Sequence, residues 1–166
     1  MNAVNSTASA VAASHAWEAL FRAQVELMRR FERDNVFQEL SFRDYDVLFT
    51  LRTAGHPGLR LKELNEFVLL HQSALSRLVE RLELRGLVER SPDPADGRGT
   101  LITLTERGRE IQRTHGRAHV QQIAHYVGSV LEPQELAELE RITEKLRLAQ
   151  ATLPDFTATH GTEPQR

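Results

Sequence analysis

The chain has 166 residues, of which 40% are hydrophobic and 27% charged, with a formal net charge of -2 and no cysteine. One ordinary globular domain fits that length and mix, and the lack of cysteine fits a cytoplasmic protein. Disulfides and thiolate chemistry are excluded, no apolar run is long enough for a membrane-spanning helix, and the overall charge is not that of a strongly basic nucleic-acid binder.

Residues 1–11 are rich in Ser, Ala and Asn. They lack a basic stretch ahead of an apolar one, so they read as a disordered leader rather than a secretion signal. A first helix is expected over about residues 12–36, with Trp17, Leu20, Phe21, Gln24, Met28 and Phe31 on one face. A second helix opens at Ser41, where Asp44 completes a capping box, and stops at Ala54-Gly55 ahead of Pro57. Phe42, Tyr45 and Phe49 form one apolar stripe; Val47, Leu48, Leu51 and Ala54 form another. A helix apolar on two sides belongs between two layers.

A short third helix covers Lys62 to Val68, followed by a break at Leu69-Leu70-His71. The fourth runs from Gln72 or Ser73 to Arg85, with Gly86 as its stop. The period then shortens to two: Leu87–Ser91 and Leu101–Leu104 read as strands. Prolines, glycines and aspartates fill 92–100, which reads as the long loop of a hairpin. A fifth helix follows Thr105 as N-cap and reaches about Ser129; a sixth opens on Pro133 and runs to about Gln150. Residues 151–166 read as a disordered tail, leaving one domain over 12–150.

Helix, short break, helix and hairpin is the order of a winged helix-turn-helix. The fold class expected is mainly α with a small β-hairpin wing. Leu75, Leu78, Val79 and Leu82 share one side of the fourth helix; Ser73, Arg77 and Glu80 lie opposite, flanked by Ser76 and Arg81. Small side chains permit close approach to a major groove, and arginine donates two bonds to a guanine edge. A solvated charged face would read the same from this helix alone. The hairpin tips the balance: Arg90 leaves the first strand, Arg98 sits between two glycines, and Asp96 is placed to brace it. The candidate DNA contacts are Gln72, Ser73, Ser76, Arg77, Arg81, Arg90, Asp96 and Arg98.

The run from Leu40 to Gly108 resembles the MarR family. Leu-Ser-x-x-x-Tyr-Asp-Val-Leu at 40–48, Arg60-Leu61-Lys62-Glu63-Leu64, the helix 73–83, Gly86–Arg90 with Asp93–Arg98, and Leu104–Gly108 follow in the family's order. One departure is the wing: Asp96-Gly97-Arg98 stands where the family often has Asp-Arg-Arg, with one cation fewer. The resemblance implies a homodimer whose first, fifth and sixth helices interlock. It implies binding of double-stranded DNA at an inverted repeat, repression, and release by a small, often aromatic effector. For that effector the candidate residues are Trp17, Phe21, Tyr45, Asp46, Phe49 and His71. No cofactor is expected.

Two other readings stay open. His115 and His119 have metal-ligand spacing on the fifth helix, as in a metal-responsive regulator. His125 lies ~15 Å further along the axis than His115, too far to join the same ion. A helical dimer acting through protein partners would use the same interlocking helices. The chain has neither a Gly-x-Ser-x-Gly elbow nor a Gly-rich phosphate loop, so no enzyme is expected.

Overall fold

A computed structural model describes residues 2–55, 57–68 and 71–156, with side chains throughout except at residues 2–8, 97 and 98. The chain divides into two units, Met1–Gln122 and Ile123–Arg166. Leu69 and Leu70 of the expected break, and residues 157–166 of the expected tail, lie outside the described residues.

In the first unit α1 covers Asn2–Asp34. It starts well ahead of Ala12, because alanines at 3, 8, 10, 12 and 13 carry helix propensity through the expected leader. Asn35 ends it in a left-handed turn, φ +48°. Of its expected apolar face only Phe31 is buried; Trp17 is 63% and Phe21 51% exposed. These two rings stack on each other with centroids 6.1 Å apart.

α2 (Phe42–Ala54) carries the expected capping box: Ser41 Oγ accepts from the Asp44 amide, and Asp44 accepts from the Ser41 amide. Val47, Leu48, Leu51 and Tyr45 are buried, so this helix is covered on both stripes. Phe49, at the end of the aromatic stripe, is 48% exposed.

A two-residue strand, β1 (Leu59–Arg60), precedes α3 (Leu61–Phe67) and α4 (Gln72–Leu84). Sequence periodicity gives no sign of β1. It forms because Gly58, at φ +109°, lets the backbone pass close to β3: a Cβ there would lie 2.5 Å from Thr103 Cγ2. α4 ends at the expected stop. Gly86, at φ +67°, donates to Glu83 O, and Leu87 donates to Leu82 O, which satisfies two orphan carbonyls.

The wing differs from expectation. β2 (Val88–Asp93) and β3 (Asp96–Leu104) pair antiparallel nearly to the tip, leaving only Pro94-Ala95 as the turn. The expected long loop is therefore mostly strand. Pro92 is tolerated because β2 is an edge, in a sheet ordered β1-β3-β2. Asp93 closes the turn by accepting from the Ala95 amide at 2.8 Å. A register irregularity between Pro92 and Asp93 absorbs the mismatch.

α5 (Glu106–Ile123) starts at the expected cap, with Thr105 Oγ1 accepting from the Gly108 amide at 3.0 Å. In the second unit a π-helical turn spans Ala124–Gly128, and α6 (Pro133–Ala149) opens with Pro133 in its first turn. Along α6, Leu139, Ile142 and Leu146 form an exposed stripe. Among the described residues no helix is long and apolar enough to cross a membrane.

Candidate nucleic-acid interface

α4 is fixed by its inner side. Leu75, Leu78, Val79 and Leu82 are buried in the core cluster with α2, α3 and the sheet. Each such burial is worth roughly 1.5–3 kcal/mol. The outer side then faces solvent in a fixed orientation. Gln72, Ser73 and Arg77 are exposed there, and Ser76 is half-buried with Oγ 3.4 Å from Glu80 Oε1. Among the described residues Arg77 has no ion-pair partner. His71 caps α4 only with its carbonyl, which accepts from the Ala74 and Leu75 amides. No acid stands in the first turn, so the positive end of the helix is uncompensated. Arginine, small hydroxyls and an open helix start together suit a phosphate-flanked groove.

Three other expected contacts are already engaged within the protein. Arg81 reaches Asp44 Oδ1 at 2.5 Å, tying α4 to the start of α2. Burial alone would push the Asp44 carboxyl up, but the bonds from Arg81 and Ser41 outweigh it and hold it below the usual range. Arg90 lies 3.4 Å from Glu83 Oε2, joining the wing to the end of α4. Asp96 accepts from Arg60 at 3.1 Å. The Arg98 side chain, which Asp96 is expected to brace, lies outside the described residues. At the same tip the Arg60 guanidinium holds the Asp93 carboxyl below its ordinary range.

These shifts have a sign. Asp44 and Asp93 bind protons more weakly folded than unfolded, so on acidification the unfolded chain takes up protons first. The stability they supply is full above the unfolded value of about 3.9 and is lost as pH falls through the lowered folded values. Urea midpoints are expected to hold from neutrality to about pH 5 and drop below about pH 4. Asp44→Asn is expected to lower the midpoint at neutral pH and shrink that drop.

The expected effector residues are not gathered in one place. Tyr45 and Phe49 line a groove of 520 Å³ between α2 and α5, with Arg52, Gln112, Arg113, Gly116, Arg117, Val120 and Gln121. Phe21 lies instead along α1 beside Arg22 and Val25. Trp17, Asp46 and His71 line neither groove. Asp46 is half-buried on α2, its carboxyl raised by burial, and His71 stays at the head of α4. In the α2–α5 groove the Tyr45 phenol and the Gln112 amide both lie beside Gly116, and burial raises the phenol's pKa. Gln112 Oε1 is buried without a hydrogen-bond partner among the described residues. Arg52, Arg113 and Arg117 have no ion-pair partner among the described residues.

Each histidine of the pair has its Nδ1 engaged within the protein. His115 Nδ1 lies 3.1 Å from Val36 O, and His119 Nδ1 lies 3.2 Å from Gln122 Oε1. The His119 ring packs against Phe31, Phe37, Phe42 and Tyr45. Among the described residues no three metal-ligating side chains converge.

Sequence reasoning passed over Arg60, Arg52, Arg113 and Arg117. The pair Arg113/Arg117 shares a helix face at four-residue spacing, and Tyr45, Phe49 and Arg52 share one on α2 at steps of four and three. That spacing marks each face but not that the two oppose each other.

A family model described as MarR family matches residues 38–99. The chain is 31% identical over 109 residues to the multiple antibiotic resistance protein MarR of Salmonella typhimurium, covering 65% of this chain and 74% of that protein. It is similar to Sco3205, a MarR family transcriptional regulator of Streptomyces coelicolor solved in complex with DNA: 27% identity, TM-score 0.71, covering 86% of this chain and 88% of that one. It is also similar to BpsR of Bordetella bronchiseptica, whose DNA binding is regulated by 6-hydroxynicotinic acid: 26% identity, TM-score 0.68, covering 78% and 91%.

Proposed function

The chain belongs to the MarR family of DNA-binding, winged-helix transcription regulators, and from that premise we propose that it is a dimeric repressor released from an inverted-repeat operator by a small aromatic acid. The observation that carries the DNA reading is the outer side of α4, where Arg77, without an ion-pair partner among the described residues, stands beside Ser73, Ser76 and an open helix start. Gln72, Ser73, Ser76, Arg77 and Arg98 make the groove contacts. Arg81, Arg90 and Asp96 keep the helix and the wing in place. Residues 41–105 form the reading head.

Helices within 12–36 and 106–150 form the dimer. Trp17 and Phe21 on α1, and separately Leu139, Ile142 and Leu146 on α6, are apolar surface that a second copy covers. Two-fold symmetry sets the half-sites ~10–10.5 bp apart. Fluorescence anisotropy on DNA flanking the protein's own coding region, at two salt concentrations, tests this. Tight binding to one segment is expected, with a log–log salt slope of about -0.9 per phosphate contacted. Failure on that DNA and in a genome-wide selection with ligand-stripped protein would overturn it and favour a protein partner.

The effector class follows from the groove between α2 and α5. Tyr45, Phe49 and Val120 offer apolar faces to a ring. Arg52, Arg113 and Arg117 offer charge to a carboxylate, and the unpartnered Gln112 Oε1 accepts from a hydroxyl. A hydroxylated aromatic carboxylate satisfies all three. At a hundred times its Kd such a ligand adds about 2.7 kcal/mol of stability. Thermal midpoints are expected to rise with hydroxybenzoates at millimolar concentration and not with their amides. The Arg113→Ala/Arg117→Ala double variant should abolish the rise. By linkage the ligand weakens operator binding by the factor DNA weakens ligand binding.

A further inference from the structure

At the wing tip, Arg60 stands in β1, the short strand that leads directly into α3. Its backbone is held twice: it pairs with Leu101 in the sheet, and its amide donates to Glu63 Oε2 at 2.7 Å in the first turn of α3. Its side chain crosses to the tip. Nε donates to Asp93 Oδ2 at 2.9 Å and Nη2 to the same oxygen at 2.5 Å; Nη2 also reaches Asp96 Oδ2 at 3.1 Å. Asp93 and Asp96 are the residues on either side of the two-residue turn, and Asp93 Oδ1 holds the Ala95 amide within it. Gly99 leaves the space the guanidinium fills, since a Cβ there would sit 3.0 Å from Arg60 Cζ.

We propose that Arg60 is the positioning residue that aims the wing, fixing its tip relative to the helix-turn-helix so that both reach DNA together. Among the described residues the Arg60 guanidinium faces two carboxylates, so Arg60 itself has no spare positive charge for a phosphate. Arg60 acts through Asp93 rather than by touching DNA. A two-stranded tip of this length is marginal alone, and its direction is set by what it is tied to. The tie is charge-assisted and partly buried, with Arg60 donating twice to one carboxylate oxygen.

This rests on the DNA-binding reading above, and the test separates the two. Operator affinity is measured by anisotropy for the full-length protein and for Arg60→Ala, Asp93→Asn, Asp96→Asn and the Arg60→Ala/Asp93→Asn double variant. Helicity and dimer mass are checked in parallel. Removing an acid ordinarily tightens DNA binding. Here Asp93→Asn is expected to weaken it about tenfold, the scale of one lost groove contact. Arg60→Ala should match it, and the double variant should be no weaker than either single one, because each breaks the same tie. Asp96→Asn should weaken binding less. Hydroxyl-radical footprints should lose protection at the operator flanks and keep it at the centre of each half-site. In the free protein, hydrogen exchange at the Ala95 amide should speed up in Arg60→Ala.

Tighter or unchanged binding by Asp93→Asn, with Arg60→Ala weakened, would make Arg60 a phosphate contact and overturn the proposal. Additive losses in the double variant would overturn it too. If wild-type protein binds no operator, the regulator reading fails and the wing's role fails with it; exchange at Ala95 would still show whether the tie exists.

Discussion

Arg77→Ala is expected to weaken operator binding by at least about thirtyfold while leaving dimer mass and thermal midpoint unchanged. A bidentate arginine–guanine contact is worth roughly 1–3 kcal/mol. A two-fold dimer places two of them, for a combined ~2–6 kcal/mol, or about thirty- to twenty-thousandfold in Kd. Folding should be untouched, since Arg77 is exposed on α4 and the helix is held by Leu75, Leu78, Val79 and Leu82 on its other side. Arg77→Lys separates base reading from charge. Lysine keeps the cation but loses the fork, so most of the affinity should go while the salt slope stays. If Arg77 instead meets phosphate, Arg77→Ala should flatten the slope by about 1.8 across the dimer and Arg77→Lys should be nearly silent. A change under threefold in Arg77→Ala would show that α4 does not read DNA through this residue.

Gly108→Ala is expected to cost about 3 kcal/mol or more of folding stability, at the upper end for overpacking. The first turn of α5 lies directly on the root of the wing. A Cβ at position 108 would come within 1.9 Å of the Leu87 carbonyl oxygen and 2.9 Å of its carbon. Both are backbone atoms, and Leu87 is itself 1% exposed and packed in the core. That carbonyl also accepts from the Thr105 amide at 3.2 Å, so it cannot turn aside without releasing the N-cap residue of α5. Urea unfolding should show a lower midpoint with an unchanged slope. Gly128→Ala serves as a control: nothing lies within 4 Å of the added atom, and its effect should stay small. If Gly108→Ala matched the control, the helix would not be seated on the wing root in this way.

What was legible in the sequence is local. Ser41 with Asp44, Thr105 ahead of Gly108, Pro133 and Gly86 each act within three or four residues, and each falls where it was expected. The inner and outer sides of α4 follow from one periodicity. What escaped depends on partners far along the chain. Strand β3 begins in a Gly- and Asp-containing stretch that reads as loop, because its pairing is supplied by β2, β1 and the Arg60 clamp rather than by its own propensity. Arg81 finds Asp44 across 37 positions, and Arg60 finds Asp93 across 33. Composition at either end names no partner. In the aromatic set, Tyr45 and Phe49 are joined by residues of α5, while Trp17 and Phe21 stay uncovered on α1. The 3.6 period gives both pairs a face and cannot say which face a neighbour covers.

Asp44 and Tyr45 are adjacent on α2, yet they answer to different parts of the molecule. The Asp44 carboxylate holds Arg81 of the reading helix, and Tyr45 with Phe49 forms one wall of the groove. α2 is thirteen residues long, about 20 Å, and is gripped in the core by Val47, Leu48 and Leu51. Phe49 sits between the gripping residues Leu48 and Leu51, and Asp44 stands about one turn before them. On the proposed ligand reading, a molecule seated against Tyr45 and Phe49 would touch the same helix that carries the carboxylate gripping Arg81.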